Sequence, residues 1–257
     1  MSVSRLAEVD PSARVPASCQ IGPGCVIGPE VELGEECRLD AHVVIEGPAR
    51  IGARNRFFPF NSIGLAPQDL SYRDEATRLE MGDDNQVREF CTLHRGTAKG
   101  GGITSIGSHN LIMAYSHIAH DCHLGSHIVM ANCSTLAGHV TVGDHATLGA
   151  FSPIHQFVRV GPYAYLGGGT ITTQDVLPFA ITSETRDNHA YGPNKIGLKR
   201  QGFSTERIAA LELAFRLLLS SGLNTTQALE RIRAEAWNAD TQLLVEFIEA
   251  SSRGVIK

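Results

Sequence analysis

Residues 106–169 read IGSHNLIMAYSHIAHDCHLGSHIVMANCSTLAGHVTVGDHATLGAFSPIHQFVRVGPYAYLGGG. Ile106, Ile112, Ile118, Leu124, Met130, Leu136, Val142, Leu148, Ile154, Val160 and Leu166 fall at every sixth position without a slip. A period of six fits neither a helix, at about 3.6 residues per turn, nor a lone strand, at about two. It fits a hexapeptide solenoid, in which each hexapeptide makes one short strand and one turn. Three hexapeptides complete a triangular coil, and strands of successive coils pair in parallel about 4.8 Å apart. The apolar residues then stack into a continuous column.

The period extends upstream through Val9, Val15, Ile21, Ile27, Leu33, Leu39, Ile45, Ile51, Phe57 and Ile63, and resumes at Met81, Val87 and Leu93. These positions make eight coils at three per coil. Glycine often follows the lattice residue, as at Gly22, Gly34, Gly107 and Gly149, and is expected to supply backbone freedom at a tight corner. Two positions before the lattice residue stand Cys19, Cys25, Cys37, Cys91 and Cys122, with Val31, Val43, Ala146 and Ser134 in equivalent places. This slot suits small, mostly apolar, inward residues, and cysteine serves there as a small hydrophobe. No structural disulfide is expected, given the cytoplasmic reading below.

Two stretches interrupt the lattice. One covers 65–80 and contains Pro67-Gln68-Asp69-Leu70; the other covers 96–105 and contains Lys99-Gly100-Gly101-Gly102. Excursions from a solenoid commonly lie on its binding face. The glycine run lacks the Lys-Ser/Thr ending of a phosphate-binding loop and reads as a flexible loop. The expected organisation is a parallel β-helix over 1–171, an irregular connection over 172–203 with Pro178 and Pro193, and an α-helical domain over 204–257. Ser204 and Gly222 bracket a first helix, a second covers 226–237, and a third runs from an Asp240 cap to about 253. These helices are expected to cap the open column or to pack on a neighbouring chain.

The bulk composition narrows the function. The chain has 257 residues, 42% hydrophobic and 19% charged, and a net charge of −5, which argues against a general nucleic-acid binder. No apolar run is long enough to span a bilayer. The N-terminus enters the repeats without a secretory apolar segment, so the expected location is cytoplasmic.

Among the 11 histidines, His109, His127 and His145 occupy corner positions and carry no assigned role. Ile118, Leu136 and Ile154 stack eighteen residues apart, and His120, His139 and His155 lie two, three and one positions after them. All three histidines therefore fall near one edge on consecutive coils, with His117 beside them. No cysteine or carboxylate set has tetrahedral metal spacing, so no metal is expected. Neutral imidazole is available near neutral pH. His120 with Asp121 as orienting acid suits general-base catalysis, and Gly138 can offer a backbone N–H to an oxyanion. That constellation fits attack of a hydroxyl or an amine on an acyl group.

The segments Pro67-Gln68-Asp69-Leu70, Leu93-His94-Arg95-Gly96-Thr97, His117-Ile118-Ala119-His120-Asp121, Thr135-Leu136-Ala137-Gly138-His139, Ile154-His155-Gln156-Phe157 and Gly197-Leu198-Lys199-Arg200 occur in this order. With them the chain resembles, over essentially its whole length, the bacterial UDP-N-acetylglucosamine O-acyltransferases that begin lipid A synthesis. The resemblance implies a left-handed parallel β-helix, a homotrimer with active sites between subunits, no tightly bound cofactor, and an acyl-carrier-protein thioester as donor, usually (R)-3-hydroxyacyl. It implies that His120 is the general base for the sugar 3-hydroxyl, Asp121 its orienter and Gly138 the oxyanion donor. Gln68, Asp69, His117, His139, His155, Gln156, Asn194 and Arg200 match positions around the UDP-sugar or the acyl donor, and Gly168 matches the acyl-pocket position. Lys195, Lys199, Arg200 and Arg207 offer positive charge to an acidic carrier protein.

Some positions depart from the family's habit. Ser71 replaces a usual lysine, Ile196 a usual glutamate and Gln201 a usual arginine, while 184–191 holds one extra residue against the family pattern, with Arg186 near a usual pocket histidine. These departures leave open a 3-amino acceptor and the acyl length. A zinc hydratase of the γ-carbonic anhydrase kind and a catalytically silent solenoid are the other readings of the same repeats.

Overall fold

The computed structural model describes residues 2–182 and 188–257. Three sheets form the walls of a column. One has 11 strands and begins at Ser2–Val3; one has 8 strands, from Glu8–Val9 to Pro153–Ile154; one has 7, from Val31–Leu33 to Arg159–Val160. The chain visits them in turn: Leu111–Ile112 lies in the first, His117–Ile118 in the second and His123–Leu124 in the third. Val129–Met130 then returns to the first. Successive coils pair in parallel, with Ile112 opposite Met130, Ile118 opposite Leu136 and Leu124 opposite Val142. The fold is thus a parallel β-helix, and its lattice residues from Ile21 to Leu166 are buried.

The slot two positions before each lattice residue also points inward. Cys25 and Cys122 are buried there, and their thiols donate to the carbonyls of Asp40 at 2.9 Å and Ala137 at 3.2 Å. Four asparagines share the slot, a departure from the small, mostly apolar residues expected: Asn55, Asn61, Asn85 and Asn110 are all buried. Asn61 accepts from Cys91 N–H at 2.8 Å, and the other three work as a ladder. The Asn55 side-chain oxygen accepts from the backbone and amide nitrogens of Asn85, both at 2.9 Å. That of Asn85 accepts from Asn110 N–H at 2.9 Å, and that of Asn110 from Ile128 N–H at 2.7 Å. Each carboxamide satisfies an otherwise orphaned buried N–H.

The glycines serve a different purpose from the one expected. At Gly22, Gly34, Gly107 and Gly149 the backbone torsions are ordinary; what forbids a side chain is the coil above. A Cβ at Gly34 would sit 2.4 Å from the carbonyl carbon of Gly52, and one at Gly107 would sit 2.5 Å from the carbonyl oxygen of Gly125. The left-handed backbone position lies two residues later and is filled by large residues, including His109 (φ 60°), His127 (φ 60°) and His145 (φ 59°). Their rings stack in a column at 4.9 and 4.7 Å between centroids, continued by Tyr163 at 4.7 Å. A second corner carries His42, Phe60, Phe90 and Tyr115, stacked 5.0 to 5.2 Å apart. Stacking offsets the cost of the left-handed conformation, about 1–2 kcal/mol per residue.

The described parts of the segment expected to be an irregular connection, 172–182 and 188–203, are more ordered than the sequence suggests. Thr172 and Val176 still bridge to Ile154 and Val160, and Ala180–Thr182 joins the first sheet. Ala190–Pro193 pairs with it antiparallel, and α1 follows over Lys195–Arg200. Helices α2 (Thr205–Leu219), α3 (Thr225–Glu235) and α4 (Ala239–Glu249) pack around Leu211, Phe215, Ile232 and Leu244. The cap of α4 is Asn238, in a capping box with Thr241, not Asp240. Asp240 lies in the first turn, where its carboxylate receives both nitrogens of Arg207 at 2.8 and 2.7 Å. No helix among the described residues is long and apolar enough to cross a membrane.

Candidate active site

His120 lies in the turn that leaves strand His117–Ile118, at the corner between the second and third sheets. The next residue, Asp121, adopts the left-handed conformation (φ 58°), which turns its carboxylate back under the imidazole. His120 Nδ1 is 2.8 Å from Asp121 Oδ2. A carboxylate only accepts, so Nδ1 carries the proton and Nε2 keeps its lone pair. The His120 side chain is 15% exposed and that of Asp121 0%, so solvent-borne reactants reach the imidazole alone.

The coil above completes the corner. A Cβ on Gly138 would lie 2.6 Å from His120 Cε1, so only glycine lets the backbone sit flush against the ring. Its N–H donates to no acceptor among the described residues. His139 Nε2 is 3.7 Å from Asp121 Oδ2, its ring meets that of His120 edge-on at 5.2 Å, and Phe157 stacks on it at 4.4 Å. Burial holds the His139 pKa below its ordinary value, against the opposing pull of Asp121.

His120, Asp121 and His139 bring ligand-capable atoms within 4.8 Å of one another, a set that sequence spacing did not suggest. Both oxygens of Asp121 are already engaged: Oδ1 accepts from Thr97 N–H at 2.7 Å, and Oδ2 from Thr97 Oγ1 at 2.6 Å and from His120. A cation there would have to displace that network, so the donor set is better suited to orienting a proton than to holding a metal.

Along the second sheet, His117 Nδ1 is 2.7 Å from Thr92 Oγ1, and its pKa is pulled down to about 4, chiefly by burial and then by His94 and His120. His94 was missed as a site residue. It is 6% exposed, its Nδ1 lies 2.7 Å from the Ala66 carbonyl, and its Nε2 is buried without a partner among the described residues. Its ring meets His117 edge-on at 5.4 Å. Its motif placed it near the site, but its burial depends on the first insertion folding over it. In that insertion Asp69 accepts from Ser71 N–H at 2.8 Å and from Ser71 Oγ at 3.0 Å, which lowers its pKa. Ser71 thus holds the neighbouring carboxylate. Gln68 is exposed.

Other expected residues stand apart in the single chain. His155 and Gln156 are exposed, with His155 Nδ1 3.1 Å from the Gln156 carbonyl and 3.2 Å from Arg253. Asn194 caps α1, accepting from Gly197 N–H at 3.0 Å, and Arg200 is exposed at the end of that helix. Ile196 is exposed and Gln201 is the C-cap of α1. Gly168 is exposed, and a Cβ there meets nothing closer than 3.4 Å. No hydrogen bond, ion pair or ring contact joins His155, Gln156, Asn194, Arg200 or Gly168 to His120 among the described residues. Arg186 lies outside the described residues. Of the four cations expected to meet a carrier protein, Arg207 is committed to Asp240 and Lys195 pairs with Glu212 at 2.7 Å. Lys199 and Arg200 are exposed.

Comparison with known proteins finds relatives over most of the chain. Residues 103–138 match the bacterial transferase hexapeptide family model, and residues 175–256 match that of UDP-N-acetylglucosamine O-acyltransferase, domain 2. The acyl-[acyl-carrier-protein]–UDP-N-acetylglucosamine O-acyltransferase of Syntrophobacter fumaroxidans is 48% identical over 217 residues, 84% of each chain. That of Myxococcus xanthus is 45% identical over 212 residues, 82% of each. Among solved structures, LpxA from Acinetobacter baumannii superposes with a TM-score of 0.95 at 42% identity, covering 99% of both chains. The UDP-N-acetylglucosamine acyltransferase from Bacteroides fragilis gives 0.97 at 37%, covering 99% of this chain and 100% of that one. With curated relatives 45% and 48% identical over 82% and 84% of its length, the chain belongs to the acyl-[acyl-carrier-protein]–UDP-N-acetylglucosamine O-acyltransferase family.

Proposed function

We infer that this enzyme transfers an (R)-3-hydroxyacyl chain from an acyl-carrier-protein thioester to the 3-hydroxyl of UDP-N-acetylglucosamine, the first step of lipid A biosynthesis. The observation that carries the reading is the 2.8 Å bond from His120 Nδ1 to a fully buried Asp121, which leaves Nε2 as the nitrogen of that ring available to act as a base. In the reaction His120 Nε2 takes the proton of the 3-hydroxyl as its oxygen bonds to the thioester carbonyl carbon. The Gly138 N–H meets the oxyanion of the tetrahedral intermediate. Its collapse breaks the carbon–sulfur bond, and the departing thiolate takes the proton from the imidazolium. Asp121 stays a carboxylate throughout and stabilises the transient cation. No tightly bound cofactor enters this chemistry.

His117 and His139 have depressed pKa values, so they meet the sugar as neutral rings able to donate through one nitrogen and accept through the other. Asp69, His155, Gln156, Asn194 and Arg200 belong to the same reading as contacts to the nucleotide sugar or the donor, Gln68 with them, and Gly168 as an opening for the acyl chain. Several of these make no hydrogen bond, ion pair or ring contact with His120 among the described residues of one chain, which suits a site completed by a neighbour in a homotrimer of left-handed helices. The corner carrying Phe60, Phe90, Tyr115 and Phe151 supports that assembly, because these rings are 50%, 44%, 58% and 67% exposed in one copy. The reading includes a cytoplasmic location, in keeping with unpaired cysteines.

The test offers UDP-N-acetylglucosamine and its 3-amino analogue a series of acyl-carrier-protein donors and reads products by mass spectrometry. A 3-O-acyl product, with His120→Ala slower by about 10²–10⁴-fold, is expected. Transfer only to the 3-amino analogue, or near-normal turnover by His120→Ala, overturns the reading.

A further inference from the structure

The second interruption of the lattice reads as a flexible glycine loop, yet it closes onto the acid of the catalytic pair. Thr97, its second residue, is 4% exposed and donates to both oxygens of Asp121: its N–H to Oδ1 at 2.7 Å and its hydroxyl to Oδ2 at 2.6 Å. The hydroxyl in turn accepts from Gly100 N–H at 3.2 Å, within the single 3₁₀ turn Ala98–Gly100. With that N–H on its lone pair, the Thr97 proton is directed at Asp121. Thr104, at the far end of the loop and 0% exposed, accepts from Asp121 N–H at 2.8 Å. Gly100 lies flat on the carboxylate: a Cβ there would fall 2.0 Å from Asp121 Cγ.

We propose that Thr97 is a positioning residue for the acyl transfer, and that the 96–105 insertion is a clamp that fixes Asp121 and limits how strongly it binds the His120 proton. The proposal rests on the acyltransferase reading above. Its physical basis is that the Thr97 hydroxyl and His120 Nδ1–H share one oxygen, Oδ2. Each donor withdraws charge that the other uses, so the Thr97 bond keeps the imidazolium from being over-stabilised. Removing the hydroxyl leaves Oδ2 to His120 alone, which raises the affinity of the imidazole for a proton. It also frees the carboxylate to rotate out of the ring plane.

Thr97→Val keeps shape and removes the hydroxyl; Thr97→Ser restores a donor. The expected result for Thr97→Val is a kcat about 10- to 100-fold lower, an unchanged KM for UDP-N-acetylglucosamine, and an acid limb of the kcat–pH profile moved to higher pH. Thr97→Ser should recover most of the rate and the wild-type profile. His120 also lies within electrostatic reach of Asp69, His94, His117 and His139, none of which either substitution alters. Gly100→Ala, which pushes on the carboxylate directly, should lower kcat without changing KM, and serves if Thr97→Val does not fold. A folded Thr97→Val whose rate and profile overlay the wild type overturns the proposal, as does a Thr97→Ser no better than Thr97→Val. The His120 imidazole titration followed by NMR needs no substrate. An upward shift in Thr97→Val upholds the clamp even if the wild type transfers nothing to a UDP-sugar; coincident curves sink it whatever the activity.

Discussion

Asp121 is where backbone conformation and chemistry meet. Its left-handed φ of 58° is shared with most corner residues of the column, but here the turned carboxylate finds His120 Nδ1. The His120–Asp121 pair was legible because both residues sit at fixed offsets from Ile118 in an unbroken lattice. Thr97 and His94 were not legible as parts of the site, because each acts through an insertion whose path no period describes. Arg207 misled for the converse reason: its charge is visible in sequence, its Asp240 partner 33 residues on is not. Asp121→Asn tests the residue-level account. A carboxamide facing Thr97 and His120 must point its NH₂ at one of their donors, so the imidazole loses its tautomer or its orientation. The expected outcome is a kcat about 10²–10⁴-fold lower with KM and melting temperature little changed. Loss of folding together with activity would instead assign Asp121 a structural role.

The repeating element is one strand and one turn, and its period shows in the sequence without any knowledge of contacts. What the period does not reveal is why a given residue fills a given place. Glycine after the lattice residue suggested backbone freedom, whereas the structure requires the absence of a Cβ beneath the next coil. Asparagine in the inward slot carries no signal by hydropathy, yet it satisfies N–H groups where the insertions alter coil spacing. Asn85 is the middle rung, donating to Asn55 and accepting from Asn110. Asn85→Ala removes the acceptor for a buried N–H, and should lower stability by about 1–3 kcal/mol. The denaturant midpoint should fall with an unchanged m-value, and activity at 25 °C should persist in the folded fraction. A midpoint equal to that of the wild type would mean that the ladder contributes nothing net.

Taken whole, the molecule encloses neutral imidazoles, and that makes its stability depend on pH. Burial is the leading cause in each case: His117 is pulled to about 4, and His94, His139 and His145 are also held below the ordinary histidine value. His145 is further lowered by His127, its neighbour in the corner stack. In the unfolded chain these rings titrate near about 6.5. Above that pH they are neutral in both states, and the stability that depends on their neutrality is fully present. As pH falls below about 6.5 the unfolded chain takes up protons that the folded chain takes up only at lower pH, near about 4 for His117, and stability is lost across that window. The chain should therefore show a denaturant midpoint that is level between about pH 7 and 8 and declines from about pH 6.5 toward 4, measured at one protein concentration so that assembly does not intrude. His117→Asn keeps an acceptor for Thr92 while removing the most displaced imidazole, so its decline should be shallower than that of the wild type. A wild-type midpoint that stays flat from pH 7 to 4.5 would mean that these rings reach solvent in the folded state, and the proposal that His117 and His139 meet the sugar as neutral rings would have to be abandoned with it.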